Sequence, residues 1–375
     1  MQTKPTALII CFSELHRDPR VLREIGWLRD EFQITTVGFT PSGVNNVYHV
    51  PYGAAPSSSI IGKFRRAAKY FGRDYETFYW GSDKAKVVDA LSNRSFDLIV
   101  ANDVDTVPLA VRIAGPKTRV HFDAHEYAPL ELTESIRWRI LRQPMIKYIC
   151  REYIPRVTSA STVCQGIADK YEHEYGRKFE VITNATEYEV LEPSPTNPEK
   201  IRLIYHGLAH PTRQTDKMIE MMRTLDIGFE LNLMLLGEKT YIDSLRKLAA
   251  SMPNVKFLSP TDTKNIASFT NQFDVGVYFL PPTNFNNLHA LPNKFFEFIQ
   301  ARLAVAIAPS PEMAAIVKEY GLGTVAQEFS ARSMADAIRC LTPEQITQFK
   351  VQSDKHAREL SAEKNGEKFR QLVMS

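Results

Sequence analysis

The sequence predicts an α/β protein with two domains, each built on a parallel sheet covered by helices. Short apolar runs alternate with helical patterns along the chain, as in parallel sheets with helical crossovers. The runs are apolar throughout, which is typical of strands buried on both faces. The segment Ala185–Lys200 contains three prolines and no apolar periodicity, so it separates two series of strands.

The elements follow in order from these runs. The strands predicted in the first series are Ala7–Phe12, Ile34–Phe39, Leu98–Ala101, Arg119–Asp123, Ser161–Cys164 and Val181–Thr183. The strands predicted in the second series are Arg202–Tyr205, Leu231–Leu236, Val255–Leu258, Val275–Phe279 and Ala304–Ala308. Helical patterns between them include Pro19–Arg29, Tyr241–Ala250 and Met313–Glu319.

These runs also set the expected domain boundaries. We expect an N-terminal Rossmann-like domain over residues 1–190, a linker over 191–200 and a C-terminal Rossmann-like domain over 201–354. A terminal helix over 355–375 either crosses back to the first domain or is solvated. Ligands of open α/β sheets bind at the carboxyl ends of the strands, so two facing sheets would enclose a deep cleft.

Composition excludes several classes of protein. Of 375 residues, 44% are apolar and 24% are charged, which is typical of a globular enzyme. A net charge of +3 gives no reason to expect a nucleic-acid partner. The four cysteines are far apart and lack metal-ligand spacing, which suits a reducing cytoplasm. The first apolar run is too short for a signal peptide, and no run is long enough to span a membrane.

The stretch LPNKFFEF, residues 291–298, combines an apolar helix face with polar residues at its start. Pro292 is expected at the first helical position. The helix N-terminus and Lys294 both attract an anion such as a diphosphate. Glu297, on a face shared with Asn293, can accept hydrogen bonds from two ribose hydroxyls. The alternative is a solvated helix start with a surface Lys–Glu pair.

Charged residues also follow strands in the first half. Asp18 in the stretch FSELHRDPR either caps the next helix or takes part in a site. Arg17 or Arg20 could face an acceptor phosphate. Asp103 follows the strand ending at Ala101, and His125 follows the strand ending at Asp123. Each is expected at the binding edge of the sheet, although His125 could instead be a buried, satisfied histidine.

Several motifs, in their order and spacing, resemble the family-four retaining glycosyltransferases, or glycosyltransferase group 1, which have the GT-B fold. In the second half these are IRLIYHGLAHPTRQTDKMIEMM and LPNKFFEFIQARLAVAIAPSPEMAAIV, and VITNATE resembles the strand and Asn-containing turn that end the N-terminal domain of the family. In the first half HRDPRVLREIGWL resembles the first helix of the family, and VHFDAHEYAP resembles the loop after its fourth strand. The resemblance covers roughly residues 6–325.

The resemblance implies roles for individual residues of the donor half. Glu297 matches the ribose-binding glutamate, and Arg213 matches a basic residue that faces the diphosphate. Gly207, in the loop after the first strand of the donor domain, is expected to be one of the donor-binding residues. His289 stands where the family has a second glutamate that contacts the donor sugar, so sugar specificity is open. Asn287 is a further candidate for contacts with sugar hydroxyls.

The implied activity is transfer of a hexosyl group from a nucleotide-diphosphate sugar with retention of configuration, by front-face attack of the acceptor. His125 would contact the donor sugar, while Arg213 and Lys294 would stabilise the leaving group. No resident cofactor or metal is expected. UDP is the commonest donor nucleotide of the family, with GDP as its rival. Alternatives are a nucleotide-sugar 2-epimerase of the same fold and a non-catalytic sugar-nucleotide-binding relative.

Two basic amphipathic segments bear on the acceptor. Residues 60–73 and 136–156 could lie on an anionic membrane surface, or they could be ordinary solvated helices. With membrane contact, the acceptor would be a glycan or lipid-linked glycan of bacterial surface polysaccharide biosynthesis, for example of capsule, exopolysaccharide or lipopolysaccharide. The protein would then work in the cytoplasm, at the inner face of the cytoplasmic membrane.

Overall fold

The computed structural model describes residues 4–53 and 70–375. The chain forms two compact units, and the boundary lies between Ile182 and Thr183. The first unit also contains the last residues, Gly366–Ser375, which gives the chain end the first of the two placements left open by the sequence. Both units are α/β with all-parallel sheets, so the predicted fold class is confirmed.

The first unit has a seven-stranded sheet with the order β3-β2-β1-β4-β5-β6-β7. Its strands are β1 (Thr6–Ile10), β2 (Gln33–Gly38), β3 (Tyr48–Pro51), β4 (Leu98–Asn102), β5 (Arg119–Ala124), β6 (Ser159–Thr162) and β7 (Glu180–Val181). Its helices are α1 (Pro19–Leu28), α2 (Tyr75–Tyr79), α3 (Ser82–Leu91), α4 (Val107–Ile113), α5 (Ile136–Leu141), α6 (Gln143–Tyr153) and α7 (Gln165–Tyr175).

The second unit has a six-stranded sheet with the order β10-β9-β8-β11-β12-β13. Its strands are β8 (Ile201–Ala209), β9 (Phe229–Gly237), β10 (Val255–Leu258), β11 (Val275–Tyr278), β12 (Ala304–Ile307) and β13 (Gly323–Val325). Its helices are α8 (Asp216–Met222), α9 (Lys239–Leu248), α10 (Ile266–Thr270), α11 (Phe285–Leu288), α12 (Asn293–Gln300), α13 (Pro311–Tyr320), α14 (Ala331–Arg339) and α15 (Pro343–His356).

The last helix, α16 (Ala362–Met374), completes the core of the first unit. Phe369 and Val373 of this helix pack in one apolar cluster with residues of β1 and α1. Gly366 lies against the indole of Trp27, where a larger side chain would collide with the ring. The chain end therefore supplies part of a core whose other residues lie more than 180 positions earlier in the sequence.

Buried charges tie helix α15 to the second sheet. Asp274, which directly precedes β11, is fully buried. Its carboxylate accepts from Arg202 Nε at 3.1 Å and lies 3.6 Å from Lys350 Nζ of α15. Lys350 Nζ also donates to the carbonyl of Phe273 at 3.1 Å. A buried carboxylate needs such partners, so this group orients the helix on the strand.

The structure corrects the sequence analysis at Pro292. This residue is the N-cap of α12 in an extended conformation, with φ −82° and ψ 159°, and the helix begins at Asn293. Two short edge strands, β3 and β13, were not predicted. Within the described ranges, no helix combines the length and the hydropathy needed to cross a bilayer.

The contact between β11 and α12 provides a test of packing in the second unit. A methyl group at Gly276 would enter the ring of Phe298. We expect Gly276→Ala to lower the free energy of unfolding of the second unit by about 1–3 kcal/mol, the usual cost of overpacking. Urea unfolding with a probe in each unit measures this loss.

Gly26→Ala is the matched control, because no heavy atom lies within 4 Å of the added methyl group. Gly26 is inside helix α1, where alanine is favoured by about 0.5–1 kcal/mol. The two substitutions should therefore shift stability in opposite directions. Equal stabilities of Gly276→Ala and the unmodified protein would contradict the packing described for Phe298.

Candidate active site

In the second unit, the N-terminus of α12 lies at the carboxyl edge of the sheet, in the connection that follows β11. Its N-cap is Pro292, which has no side-chain acceptor for the first-turn N–H groups. The preceding segment is held by Asn184, whose Nδ2 donates to the carbonyl of Leu291 at 3.2 Å. The helix dipole therefore presents positive potential at this edge.

Lys294 lies in the first turn of α12 and is only 8% exposed. Its Nζ is 4.2 Å from the ring centroid of Tyr205 and 5.4 Å from that of Tyr278. A side chain at Gly207, where φ is +128°, would collide with this ammonium. Among the described residues, Nζ has no hydrogen-bond acceptor. The structure thus brings Lys294 and Gly207 together around a buried, unsatisfied cation.

Glu297 lies one turn further along α12, with its side chain 19% exposed. One of its carboxylate oxygens is 3.5 Å from Nε2 of His206, a buried residue of β8 whose ring packs edge-on against Phe298. Burial and the positive charge of Lys294 lower the pKa of His206 to about 3, so this imidazole is neutral at pH 7. Lys294, His206 and Glu297 therefore form one cluster.

Arg213 lies in the short turn Pro211–Arg213 that follows β8, and it is partly exposed. Burial raises the pKa of the Tyr278 hydroxyl, and the positive charge of Arg213 opposes this rise. The guanidinium therefore acts on the same tyrosine that packs on Lys294. Lys294 packs near this tyrosine as well, so both cations act on the surroundings of Tyr278 in the second unit.

The other predicted donor-side residues lie just before α12. His289 Nδ1 is 2.7 Å from a carboxylate oxygen of Glu312, in the first turn of α13. A carboxylate only accepts, so Nδ1 carries the hydrogen. Asn287 is in α11, where its Nδ2 donates to Thr283 Oγ1 at 2.7 Å. Asn293 is the first residue of α12 and is partly exposed.

In the first unit, the predicted role of Arg20 in binding an acceptor phosphate is wrong. Arg20 is 5% exposed, and its Nη2 donates to Asp123 Oδ1 at 2.6 Å. Its Nε donates to the other oxygen of Asp123, and its Nη1 donates to the carbonyl of Ile182 at 2.9 Å. The guanidinium is thus committed to an internal ion pair. Asp18, in contrast, caps α1 as proposed, accepting from the backbone N–H groups of Arg20 and Val21.

His125 lies at the end of β5 within a group of acceptors. Its Nε2 is 2.9 Å from Asn102 Oδ1 and 3.4 Å from Asp123 Oδ2, and its Nδ1 is 3.4 Å from Asp103 Oδ2. Burial favours the neutral ring, but the carboxylates of Asp103 and Asp123 outweigh it and raise the pKa of His125 to about 9. The imidazolium is therefore the stable form at pH 7.

Asp103 is held in an unusual backbone conformation. Its φ of 62° and ψ of 154° lie in a region of backbone conformation that residues other than glycine rarely adopt. Its carboxylate accepts from the backbone N–H of His125 at 3.3 Å, and its side chain is 53% exposed. Arg17 is also exposed and pairs with Glu14 at 3.1 Å. Both side chains are thus exposed at the edge of the first sheet and paired with neighbouring residues.

A second layer supports His125 from the protein interior. Asn102, which accepts from His125, donates through Nδ2 to Glu24 Oε2 at 2.8 Å. Glu24 is fully buried on α1, and burial together with the negative charge of Asp123 raises its pKa well above the usual value. The imidazole orientation thus depends on a chain of contacts from α1 through β4 to β5.

Sequence reasoning missed His206, Tyr205, Tyr278 and Glu312. One signal was present for His206, because a histidine interrupts the otherwise apolar strand IRLIYHGLA. The partner of His289 could not be found in this way, because Glu312 lies 23 positions away and on the next connection of the sheet.

We expect His125→Gln to remove a pH-dependent part of the stability of the first unit. The pKa of His125 is raised from 6.5 to about 9, so its stabilisation is complete below 6.5 and is lost as the pH rises through about 9. This shift corresponds to at most about 3 kcal/mol. The difference in Tm between the unmodified protein and the variant should therefore be large near pH 7 and small near pH 10.

His173→Gln is the control, since His173 is exposed on α7. Its Tm difference should be small across the whole pH range. A Tm difference between the unmodified protein and His125→Gln that stays constant from pH 7 to pH 10 would show that the imidazolium is not stabilised by Asp103 and Asp123.

Comparison with solved structures relates this architecture to known proteins. Sucrose-phosphate synthase from Thermosynechococcus elongatus matches with a TM-score of 0.72 and 10% identity, over 98% of each chain. HepE from Anabaena, in complex with UDP and glucose, matches with a TM-score of 0.69 and 13% identity, again over 98% of each chain. WaaG, a glycosyltransferase involved in lipopolysaccharide biosynthesis, gives 0.66 and 11%, over 98% of this chain and 99% of its own.

No known family profile matches the sequence, and no curated protein matches it. At identities of 10–13% the similarity concerns the fold. Two parallel-sheet α/β units, matched over nearly the whole chain, show that this protein has the GT-B fold.

Proposed function

We propose that this protein is a glycosyltransferase that moves a hexosyl group from a nucleotide-diphosphate sugar to a glycan or lipid-linked acceptor. The proposal depends chiefly on the ammonium of Lys294, which is buried at the N-terminus of α12 without an acceptor among the described residues. Burying a charge without a hydrogen-bond partner is costly, and the rings of Tyr205 and Tyr278 offset only part of the cost. A diphosphate supplies the missing acceptor.

Three positive groups of the second unit can act on the leaving diphosphate. The lysine stem is flexible, so the ammonium can move from the aromatic rings to a phosphate oxygen. Arg213 can hold two phosphate oxygens through its planar guanidinium. The N-terminus of α12 adds its dipole. Negative charge grows on the leaving diphosphate as the glycosidic bond breaks, and these groups stabilise it there.

Glu297 and His206 suit the nucleoside part of the donor. The Glu297 carboxylate can accept hydrogen bonds from both ribose hydroxyls. His206 is neutral and lies 3.5 Å from this carboxylate, so it adds no competing positive charge beside Glu297. We propose UDP as the nucleotide, in keeping with the UDP complex of HepE, and GDP as the alternative.

We assign the sugar-facing side of the donor site to His289 and Asn287, on the basis of the family resemblance and of their place before α12. His125 has both ring nitrogens directed to protein acceptors, so we assign it the role of positioning the edge of the first sheet. Retention of configuration also rests on the resemblance. The anomeric coupling constant of a purified product, compared with that of the donor, measures it.

Nucleotide binding tests the role of Lys294. We expect Lys294→Met to weaken UDP binding about 30- to 150-fold, because a charged hydrogen bond contributes about 2–3 kcal/mol. Methionine keeps an apolar stem between the two tyrosines, so the fold should survive. Isothermal titration with UDP, and with GDP in parallel, gives the affinities and identifies the preferred base.

Lys217→Met is the matched control, since Lys217 lies in the same unit and forms a surface pair with Glu220. Its UDP affinity should be unchanged. Titration in excess EDTA should give the same result, because the proposed charge partners of the diphosphate are protein groups. Equal UDP affinity in Lys294→Met and the unmodified protein would refute the assigned site. A strict need for magnesium would refute the metal-free account of the leaving group.

We further propose that helix α5 of the first unit docks on an anionic membrane. Ile136 and Ile140 are one turn apart and are 65% and 57% exposed. Arg137 and Arg139 of the same helix are exposed beside them. Exposed apolar residues next to arginines suit the interface of an anionic bilayer. A membrane-bound protein of this kind would act on a lipid-linked acceptor of bacterial surface polysaccharide at the cytoplasmic face.

Of the two basic segments predicted to contact a membrane, only parts have exposed apolar residues in the portion of the chain that the structure describes. The apolar residues of α6, such as Ile146 and Ile149, are buried in the first unit, so this helix offers only its polar face. Residues 60–69 of the other basic segment lie outside the described residues. Phe71, in the described part, is 68% exposed, and the neighbouring Tyr70 hydroxyl donates to the carbonyl of Ile140 at 3.4 Å.

Vesicle binding tests the membrane proposal. We expect replacement of Ile136 and Ile140 by serine to weaken binding to phosphatidylglycerol-containing vesicles about tenfold or more, because two apolar side chains no longer leave water. Replacement of Ile227 and Leu236, which are 67% and 56% exposed in the second unit, is the control. Equal co-sedimentation of both double variants with the vesicles would refute docking through α5.

A further inference from the structure

Three neighbouring strands of the first sheet are each followed by an aromatic residue at their carboxyl end. Phe12 follows β1, Phe39 follows β2 and Tyr52 follows β3, and these strands are adjacent in the order β3-β2-β1. The connections are paired beyond the strands, because Phe39 N donates to Ser13 O at 2.9 Å and Tyr52 N donates to Gly38 O at 2.7 Å. The three rings therefore meet at the edge where ligands of parallel sheets bind.

The rings form a stack. Phe12 and Tyr52 have centroids 4.0 Å apart with planes at 16°, and Phe39 and Tyr52 have centroids 5.8 Å apart with planes at 21°. Phe39 is 48% exposed, whereas Phe12 and Tyr52 are partly buried. A large aromatic ring that is half exposed at the binding edge of a sheet is a candidate contact surface for a ligand.

The stack is fixed from behind by helix α3. The Tyr52 hydroxyl donates to Asp83 Oδ2 at 2.7 Å and accepts from Lys84 Nζ at 3.1 Å. Lys84 is buried, with Nζ 4.5 Å from the ring centroid of Tyr79. These contacts hold the ring of Tyr52, the middle ring of the stack, in one orientation. Binding of a ligand therefore costs less free energy, because this ring is already ordered.

Polar groups that bind hydroxyls lie beside the rings. Glu14, whose side chain is 50% exposed, pairs with Thr40 through a backbone bridge, and Thr40 directly follows Phe39. His16 Nδ1 is 2.8 Å from Thr40 Oγ1. A hydrocarbon chain on the rings would remove these groups from water without replacing their hydrogen bonds. Glu14 is paired with Arg17 at 3.1 Å, so the charge beside the rings is balanced and gives no net attraction for an anionic headgroup.

A pyranose ring fits both parts of this surface. One face of such a ring is lined by C–H bonds, whose hydrogens are attracted to the electron-rich face of an aromatic ring. Its rim of hydroxyls can donate to carboxylates and accept from neighbouring donors. We propose that Phe12, Tyr52 and Phe39, which we call the aromatic platform, bind a sugar ring of the acceptor. This inference rests on the proposed function, because the donor nucleotide is assigned to the second unit.

Saturation-transfer NMR on the full chain tests the platform directly. The probes are methyl hexopyranosides and octyl glucoside below its micelle concentration. We expect saturation of the sugar ring protons by the unmodified protein, and binding about three- to tenfold weaker for Phe39→Ala, the usual effect of losing one stacking partner. Phe39→Trp should restore the signal, since it keeps an aromatic face.

Tyr48→Ala is the matched control, because Tyr48 is 51% exposed at the opposite end of β3. Its signals should equal those of the unmodified protein. Equal signals in Phe39→Ala, or no saturation of any sugar ring by the unmodified protein, would overturn the proposal. Saturation confined to the octyl chain would overturn it in favour of a lipid, and a Phe39-dependent signal from uridine would overturn it in favour of a nucleobase.

UDP affinity, measured on the same samples, separates this inference from the proposed function. Phe39→Ala should bind UDP as tightly as the unmodified protein, because the nucleotide site is in the second unit. Failure of the unmodified protein to bind UDP would refute the donor assignment. The sugar signals would still report on the platform itself.

Discussion

Both sheets are buried on both faces, and this constraint decides where polar chemistry can lie in the protein. All five residues of β4 are buried, and the strands pair only in parallel. Hydrogen bonds between the strands satisfy the backbone N–H and C=O groups. Helices cover both faces of each sheet, so the side chains on both faces are mostly apolar. Charged groups that must reach a ligand are therefore confined to the strand ends. His125 at the end of β5 and Arg213 in the turn after β8 both follow this rule.

Two clusters of buried charge, one in each unit, differ in whether their partners are complete. In the first, Arg20 and Asp123 form a two-point ion pair, and Ser161 and the carbonyl of Ile182 satisfy further groups. Removal of either partner would leave a buried charge alone, so this pair has a structural role. In the second, Lys294 rests on aromatic rings with no acceptor among the described residues. An anionic ligand would supply the hydrogen-bond acceptor that Lys294 lacks, whereas the Arg20–Asp123 pair needs no further partner.

Sequence patterns were sufficient for the long buried strands and for the role of Asp18 as a helix cap, because burial and capping have local signatures. They were insufficient for β3 and β13, which are short edge strands without a continuous apolar run. Pro292 was placed one position too far into its helix, because proline suits both an extended N-cap and the first helical position, and the sequence pattern does not separate the two. Arg20 was predicted to face an acceptor phosphate, since its partner Asp123 is 103 positions away and leaves no local signal in the sequence.

The first sheet divides its binding edge into an aromatic part and a charged part, and one connection links them. The aromatic platform follows β1 to β3, while Asp103 and His125 follow β4 and β5. Between them, the backbone carbonyl of Asp105 accepts from Tyr79, which supports the platform through Lys84. The Asp105 carboxylate accepts from Arg142 at 2.7 Å, directly after α5.

The connection after β4 therefore joins the proposed sugar platform to the helix proposed to lie on the membrane. A lipid-linked acceptor has its sugar within a short distance of the bilayer surface, so both surfaces must belong to the same rigid unit for such an acceptor to reach them together. The contacts of Asp105 with Tyr79 and Arg142 meet this requirement within the first unit. We therefore propose a lipid-linked acceptor in preference to a free glycan because both proposed surfaces lie in the same unit.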